Sequence, residues 1–351
     1  MRPLAISTFA SAVPKVQLHC HLEGTIRPQR FRDLAKRRGV DIGARADGPI
    51  EQAYAFADFR AFLLLFADVC KTLARPEDYA QLAGDYAADA SRRNVLYAEV
   101  FISPSVWTFF HRELDVRASV EAIRAALDAA ERDGGPRVAL IVDLTRNFGL
   151  ERALATARIA ESLTDLGVIG VGLGGDEKNF PAPLFEDAFS YAAAAGLKRV
   201  VHAGEADGAQ SVRAAVERLG AQRIGHGVRA IEDPAVVAML ADRGIALEIC
   251  PTSNRLTGAA PRDRPHPVGL LDAAGVRCVI DADDPALFGA SVDGEYAILE
   301  REFGRPFVER LAANAIEASF AAGGTKARLR AALAAFLDGG AGGTGAGRPV
   351  R

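Results

Sequence analysis

Apolar and polar positions along the chain switch between two periods. Val16, Leu18, Cys20 and Leu22 alternate with Gln17, His19, His21 and Glu23, the period-2 pattern of a strand with two different faces, closed by Gly24. From Pro28 to Arg38 the period lengthens: Phe31, Leu34 and Ala35 fall at i, i+3 and i+4, and Gly39 ends the run, which predicts a helix. Residues 54–73 repeat the helical spacing with Phe56, Phe59, Phe62, Leu63 and Phe66. This reads as an insertion after the first strand, near the mouth of any site there, although the same spacing suits plain core packing. Helical stretches at 76–93, 116–132, 150–163, 184–195, 209–219 and 234–243 then separate short apolar runs at 95–102, 137–144, 168–173, 199–202, 223–226, 245–250 and 277–281. Helices at 292–303, 307–318 and 326–337 follow, and the Gly-dominated residues 338–351 read as a disordered tail.

Counting the first, the chain has eight predicted strands alternating with helices, which argues for an α/β fold with a parallel sheet closed into a (β/α)8 TIM barrel. Additional helices come after strand 1 and at the C-terminus. The competing architecture, an open doubly wound sheet, binds its ligand at one switch point. Here the polar candidates stand at the ends of strands one, four, five, six and eight, and only a closed barrel gathers those ends. Residues 1–337 are read as one domain, with no internal repeat.

Composition narrows the partners. Hydrophobic residues at 49%, charged residues at 25% and a net charge of -3 give no reason to expect nucleic acid or membrane, so the partner is a small molecule. Cys20, Cys70, Cys250 and Cys278 form no CxxC pair, which points to a reduced, cytoplasmic protein. Ala10-Ser11-Ala12 loosely imitates a secretory cleavage site, but the apolar run before it is minimal. The most apolar window, 61–70, contains Asp68 and is too short to span a bilayer. Oligomeric state is unreadable.

His19 and His21, one residue apart on one strand face, can both offer a nitrogen to one cation, and imidazole suits a borderline metal such as zinc. Alone, such a pair equally describes one core histidine and one turn histidine. Three more strands end in polar clusters broken by Gly or Pro: Val200-Val201-His202-Ala203-Gly204-Glu205, Arg223-Ile224-Gly225-His226-Gly227, and Val279-Ile280-Asp281-Ala282-Asp283-Asp284-Pro285. A buried barrel strand emerging at the active face has this form. Together they supply imidazoles, a carboxylate and further titratable groups.

These segments, with Pro14-Lys15-Val16-Gln17-Leu18-His19-Cys20-His21-Leu22-Glu23-Gly24 and Cys250-Pro251-Thr252-Ser253-Asn254, resemble the ordered signature of the adenosine deaminase family, within the amidohydrolase group. The resemblance implies a zinc-dependent hydrolytic deaminase that replaces the 6-amino group of a purine. It makes His19, His21, His202 and Asp283 the ligands of one Zn2+. Three neutral imidazoles and one carboxylate leave that ion enough charge to bring a water toward a pKa of about 7. By the same resemblance Glu205 protonates purine N1, His226 orients the attacking oxygen, Asp284 bonds to N7 and helps accept the water proton, and Gly175 offers its N–H to N3. Glu23 and His21 are also expected beside the substrate. Asp283 and Asp284 should point apart if their segment is extended.

Three positions depart from the family's pattern. Glu23 stands where nucleoside-specific members often carry Asp, Gly172 where Asp is frequent, and Asp281 where Asn is frequent. Asp281 should share the face of Asp283 and be hydrogen-bonded or protonated; on the outer wall it would mean a wrong register. Relatives act on adenosine, on free adenine, or on adenine nucleosides with a larger 5'-substituent such as aminodeoxyfutalosine. Adenosine is expected on frequency alone, and Gly174-Gly175-Asp176-Glu177 differs from the pattern of adenine-specific members. Two other classes are weighed: a cyclic amidohydrolase, which needs a second metal and a bridging Lys absent from the middle strand ends, and a non-catalytic zinc-containing purine-binding protein, which has no use for Glu205, His226 and Asp284 together.

Overall fold

Parallel pairing runs in chain order from the first strand to the eighth in the computed structural model, which describes residues 6–340. The strands are β1 Lys15–His21, β2 Val95–Ile102, β3 Arg137–Asp143, β4 Val168–Gly172, β5 Lys198–Ala203, β6 Arg223–His226, β7 Ala246–Ile249 and β8 Cys278–Ile280. Helix α1, Thr8–Ala12, precedes them, and α2 Pro28–Arg38, α3 Phe59–Thr72 and α4 Pro76–Arg92 fill the crossover to β2. The next crossovers carry α5 Pro104–Phe110 and α6 Val116–Arg132, then α7 Gly149–Ser162, α8 Glu186–Ala194, α9 Ala209–Leu219 and α10 Pro234–Arg243. Helices α11 Pro251–Thr257 and α12 Val268–Ala273 lead to β8. After it come α13 Pro285–Phe288, α14 Val292–Phe303, α15 Arg305–Ala318 and α16 Gly323–Gly340. The fold is the expected (β/α)8 barrel.

The main apolar core lies between strands and helices and holds Val16, Leu18, Cys20 and Leu22, so Cys20 faces the helical layer as expected. A second, small cluster of Phe101, Ile141 and Val200, with Ile169 and Phe320 against it, fills the middle of the barrel. Polar side chains take the remaining interior, and that is what leaves room for a site.

Closure between β8 and β1 is the fold's unusual feature. No full ladder joins them; the seam is the single bridge Cys20–Asp283, with His21 N–H to Asp283 O at 3.0 Å and Asp283 N–H to His19 O at 3.1 Å. Below that bridge the Asp281 carboxylate does the work of a strand: its Oδ1 accepts both Leu18 N–H at 2.6 Å and His19 N–H at 2.9 Å. Two successive N–H groups turned to one acceptor make a bulge. The β1–β2 register shifts there, between Gln17 and Cys20. Strict alternation from Gln17 to His21 therefore fails: Gln17 accepts a hydrogen bond from Tyr86 of α4 at 2.9 Å, in the helical layer, while His19 and His21 still share a face. Asp281 is fully buried, and burial, then the Glu248 charge, hold its carboxyl well above the usual range.

Other differences are local. The 54–73 helix begins only at Phe59, where Asp58 caps Ala61 N–H. Residues 338–340 belong to α16 and not to a tail, and 341–351 lie outside the described residues. Helices α1, α5, α11, α12 and α13, of four to seven residues, are too short to leave a periodic signature.

Asp281→Ala should strand two buried N–H groups and lower stability by about 2–4 kcal/mol. Asp281→Asn, which keeps the accepting oxygen, should stay within about 1 kcal/mol of the parent. Urea unfolding of the two variants checks this; equal loss in both would mean that the carboxylate, and not the acceptor, closes the seam.

Candidate active site

The seam carries β1 and β8 donors to one point, and β5 adds another. His21 Nε2 lies 3.1 Å from His202 Nε2, and Asp283 Oδ1 lies 3.3 Å from His19 Nε2 and 3.5 Å from His21 Nε2. One donor atom from each of these four side chains falls within 4.8 Å of the others, and all four residues are buried. Burial drops His21 to about 3 and holds His202 well below the usual imidazole value, so both are neutral. Burial also opposes a charge on His19, yet the Asp283 and Glu248 carboxylates on either side of its ring lift it well above the ordinary value. Imidazole nitrogens and a carboxylate oxygen thus face one another across a small buried space. His19 Nε2 has no hydrogen-bond partner, as a metal ligand should not. The donor set fits a divalent ion of zinc type.

Three further expected residues face the same space. His226 ends β6 with φ of +59°, and Asp283 follows β8 with φ of +61°, a conformation that few L-residues adopt outside special sites. Asp283 and Asp284 are thus not in an extended segment and do not point apart; both line the cavity above the cluster. Asn254 donates to His226 Nδ1 at 2.9 Å, which leaves Nε2 as the hydrogen-bearing nitrogen, 3.6 Å from Glu205 Oε2. Burial lowers His226 to about 4. Glu205 is held well above the carboxylate range by burial, then by the charges of Asp283 and Glu177. Asp284 is raised likewise by burial and by Asp283. A Cβ on Gly24 would lie 1.9 Å from Asp284 Oδ1, so only glycine leaves that carboxyl its place. Gly175, at φ of +101°, sits on the wall beside Asn147.

Glu23 does not reach the wall. Its Oε1 accepts Ser103 N–H at 2.9 Å and Trp107 Nε1–H at 2.6 Å, and the side chain is fully buried behind the cavity wall.

Two groups of supporting residues escaped the sequence reading. Glu248 of β7 accepts from His19 Nδ1 at 2.7 Å, which fixes the tautomer that aims Nε2 at the cluster. Arg223 bridges Glu248 and Glu99, each at 2.6 Å, beneath the histidine. On the other side, α11 brings Ser253 Oγ to Asp283 Oδ2 at 2.7 Å and Asn254 to His226, while Glu295 of α14 accepts Thr252 N–H at 2.8 Å. Charged residues inside apolar strands were the signal for the first group; Thr252, Ser253 and Asn254 of the second lie in the signature segment 250–254, which gave them no role of their own.

Above these groups opens a cavity of about 1100 Å³. Its wall is rich in aromatics: Phe59, Phe62 and Phe66 of α3, Phe109 and Phe110 of α5, and Phe148. Helix α3 therefore has both expected roles, with Leu65, Val69 and Cys70 in the core and Phe59, Leu63 and Phe66 on the cavity. No described helix is long and apolar enough to cross a membrane.

The family profile described as adenosine deaminase matches residues 14–336. The aminodeoxyfutalosine deaminase of Streptomyces avermitilis is 36% identical over 332 residues, 93% of this chain and 92% of that protein. The adenine deaminase of Chelativorans sp. is 37% identical over 329 residues, 92% of this chain and 99% of that protein. Among solved structures, an adenine deaminase from Arthrobacter aurescens superposes with a TM-score of 0.85 at 31% identity, over 93% of this chain and all of that one. A zinc-bound amidohydrolase from Burkholderia ambifaria does so at 0.85 and 29% identity, over 97% and 96% of the two chains.

Glu295 gives a pH prediction. Burial raises its carboxyl to about 7 from an ordinary 4.5, so the folded state keeps a proton that the unfolded chain releases. Stability from this group is fully present below 4.5 and falls as pH climbs to about 7. Glu295→Gln should remove that fall and gain on the parent by about 2–3 kcal/mol between pH 5 and pH 8, on the scale of 1.36 kcal/mol per pKa unit. Denaturant midpoints at the two pH values measure it; a constant difference would mean that Glu295 does not titrate in that window.

Proposed function

Because the chain belongs to the adenosine deaminase family of hydrolytic deaminases, we propose that it is zinc-dependent and acts on an adenine nucleoside with an extended 5'-substituent, of aminodeoxyfutalosine type. The observation that carries this reading is the size and lining of the cavity: about 1100 Å³ walled by six phenylalanines is far more than a free base or plain adenosine fills. The relatives cited above are named for adenine or for aminodeoxyfutalosine, which moves the reading away from the adenosine expected on frequency. Free adenine remains the second reading, favoured by the names of the Chelativorans and Arthrobacter proteins.

His19, His21, His202 and Asp283 would hold zinc, which when bound acidifies a water so that a nucleophile exists at neutral pH. The chain's own groups do the rest. Gly175 N–H and the Asp284 carboxyl, whose charged form burial and the neighbouring Asp283 disfavour, would fix the purine through N3 and N7. Neutral His226 holds the attacking oxygen through Nε2–H. Attack at C6 drives an electron pair onto N1, where the protonated Glu205 delivers its proton, so charge is relieved only as it develops. The C6–N bond then breaks as the C6 hydroxyl gives its proton to the departing nitrogen, so ammonia leaves and the 6-oxo purine remains, while the proton lost by the attacking water restores Glu205. His21, lining the cavity, closes the floor beneath the ring.

A panel of aminodeoxyfutalosine, adenosine and adenine with the zinc-loaded protein tests the substrate: the 5'-extended nucleoside should have the highest kcat/KM, and preference for adenine would overturn the reading. Glu205→Gln should keep about one zinc per chain and lose roughly 10²- to 10⁴-fold in kcat, the usual scale for a positioned proton donor. Near-normal turnover in that variant would remove Glu205 from the role.

A further inference from the structure

Strand β5 leaves the barrel at His202 and Ala203, and two buried charged side chains that no chemical step uses grip both sides of its exit. Glu177, on the loop after β4, is 2% exposed. Its Oε1 accepts Gly204 N–H at 2.6 Å, and its Oε2 accepts the N–H groups of Glu205, Ala206 and Asp207 at 3.2, 2.7 and 2.9 Å. Four successive amides pointing at one anion form a nest, here filled by the chain's own carboxylate. Gly204 makes the nest possible: it has φ of +71°, and a Cβ there would lie 2.6 Å from Val212 Cγ2. Arg146, on the loop after β3 and fully buried, donates from Nη2 to the His202 carbonyl and from Nη1 to the Phe180 carbonyl, each at 2.7 Å.

His202 and Glu205 thus sit on one turn, three residues apart, and each is fixed by a different partner. Hydrogen bonds to a charged group are stronger than neutral ones, and four on one turn leave it little freedom. We propose that Glu177 and Arg146 are positioning residues that clamp the β5 exit, Glu177 setting where the Glu205 carboxyl stands against the purine and Arg146 setting the aim of His202. The inference rests on Glu205 as the proton donor. A misplacement of about 1 Å at a reacting group can reduce rate 10²-fold, so the clamp should show in kcat and not in substrate binding.

The test uses the full chain loaded with zinc. Glu177→Gln, which turns an NH2 toward the four amides, should retain about one zinc per chain and a KM within about 3-fold of the parent while kcat falls about 10- to 100-fold. Glu177→Asp, which keeps charge and both acceptors, should recover part of that loss. Arg146→Met should weaken zinc retention about 10-fold in chelator competition, a readout independent of turnover. Parental kcat in Glu177→Gln would overturn the proposal. So would joint loss of zinc, fold and kcat in both Glu177 variants, since Glu177 would then be a scaffold residue. Glu205→Gln run in parallel separates the two ideas: if it stays active, the donor assignment fails, whereas an inactive Glu205→Gln beside a normal Glu177→Gln sinks the clamp alone.

Discussion

The whole site depends on how the last strand meets the first. A barrel closed by an ordinary ladder would spend the β1 and β8 backbone groups on each other and leave side chains to alternate. Here β8 is only three residues long, and the pairing passes to one bridge and one carboxylate. Asp281 draws two successive β1 amides to itself, and the resulting bulge sets His19 against Asp283. Asp283 in turn adopts a left-handed conformation that an aspartate rarely takes, held by two backbone hydrogen bonds across the seam. Strain at one end of the ladder is thus tied to the convergence of the donors, which is where strained residues are expected to gather.

Charge is arranged in depth below that point. Under His19 come Glu248, Arg223 and Glu99 in turn, with the Arg223 guanidinium 3.8 Å from the ring centroid of Phe320. Tyr97 hydroxyl and Phe320 N–H both donate to Glu99 Oε1. A buried ion pair of this kind is weak evidence for stability, because desolvation offsets most of the attraction. Its effect is directional: with Glu248 held by Arg223 and accepting from His19 Nδ1, His19 Nε2 is aimed toward His21, His202 and Asp283. The segment after α15 that supplies Phe320 thereby reaches His19 through Glu99, Arg223 and Glu248, so the C-terminal helices contribute more than an outer cover.

The legible part of this arrangement was the part that breaks a pattern. Histidines and carboxylates placed where an apolar strand gives way to Gly or Pro stand out, and His19, His21, His202, Glu205, His226, Asp283 and Asp284 were all found that way and do converge. What stayed hidden was anything set by backbone conformation or by partners distant in sequence. Alternation assigned Gln17 to the face of His19 because a bulge leaves no mark in the residue types. Adjacent Asp283 and Asp284 looked divergent because extended geometry was assumed. Glu99, Glu248 and Arg223 read as ordinary strand residues, and nothing in Gly174-Gly175-Asp176-Glu177 says that the last carboxylate will fold back into the amides of another loop. Glu23 misled for the opposite reason: the motif is present, but its carboxylate finds Trp107, 84 residues away.

Chemistry and selectivity then come from different parts of the chain. Every group that would touch the reacting purine belongs to a strand end or to the few residues after it, where the barrel fixes position to within a hydrogen bond. The aromatic wall is built from α3 and α5, helices inserted into crossovers, and from the loop before α7. Phe62 stacks on Phe288 of α13 with centroids 4.6 Å apart, and α13 directly follows Asp284. The wall is therefore anchored to the end of β8 itself, and a change in its side chains can reshape the outer cavity without moving the donors. With that separation, a single arrangement of histidines and carboxylates can sit beneath outer walls of different shape, because the donors belong to the barrel strands and the wall to helices that can be resurfaced one phenylalanine at a time.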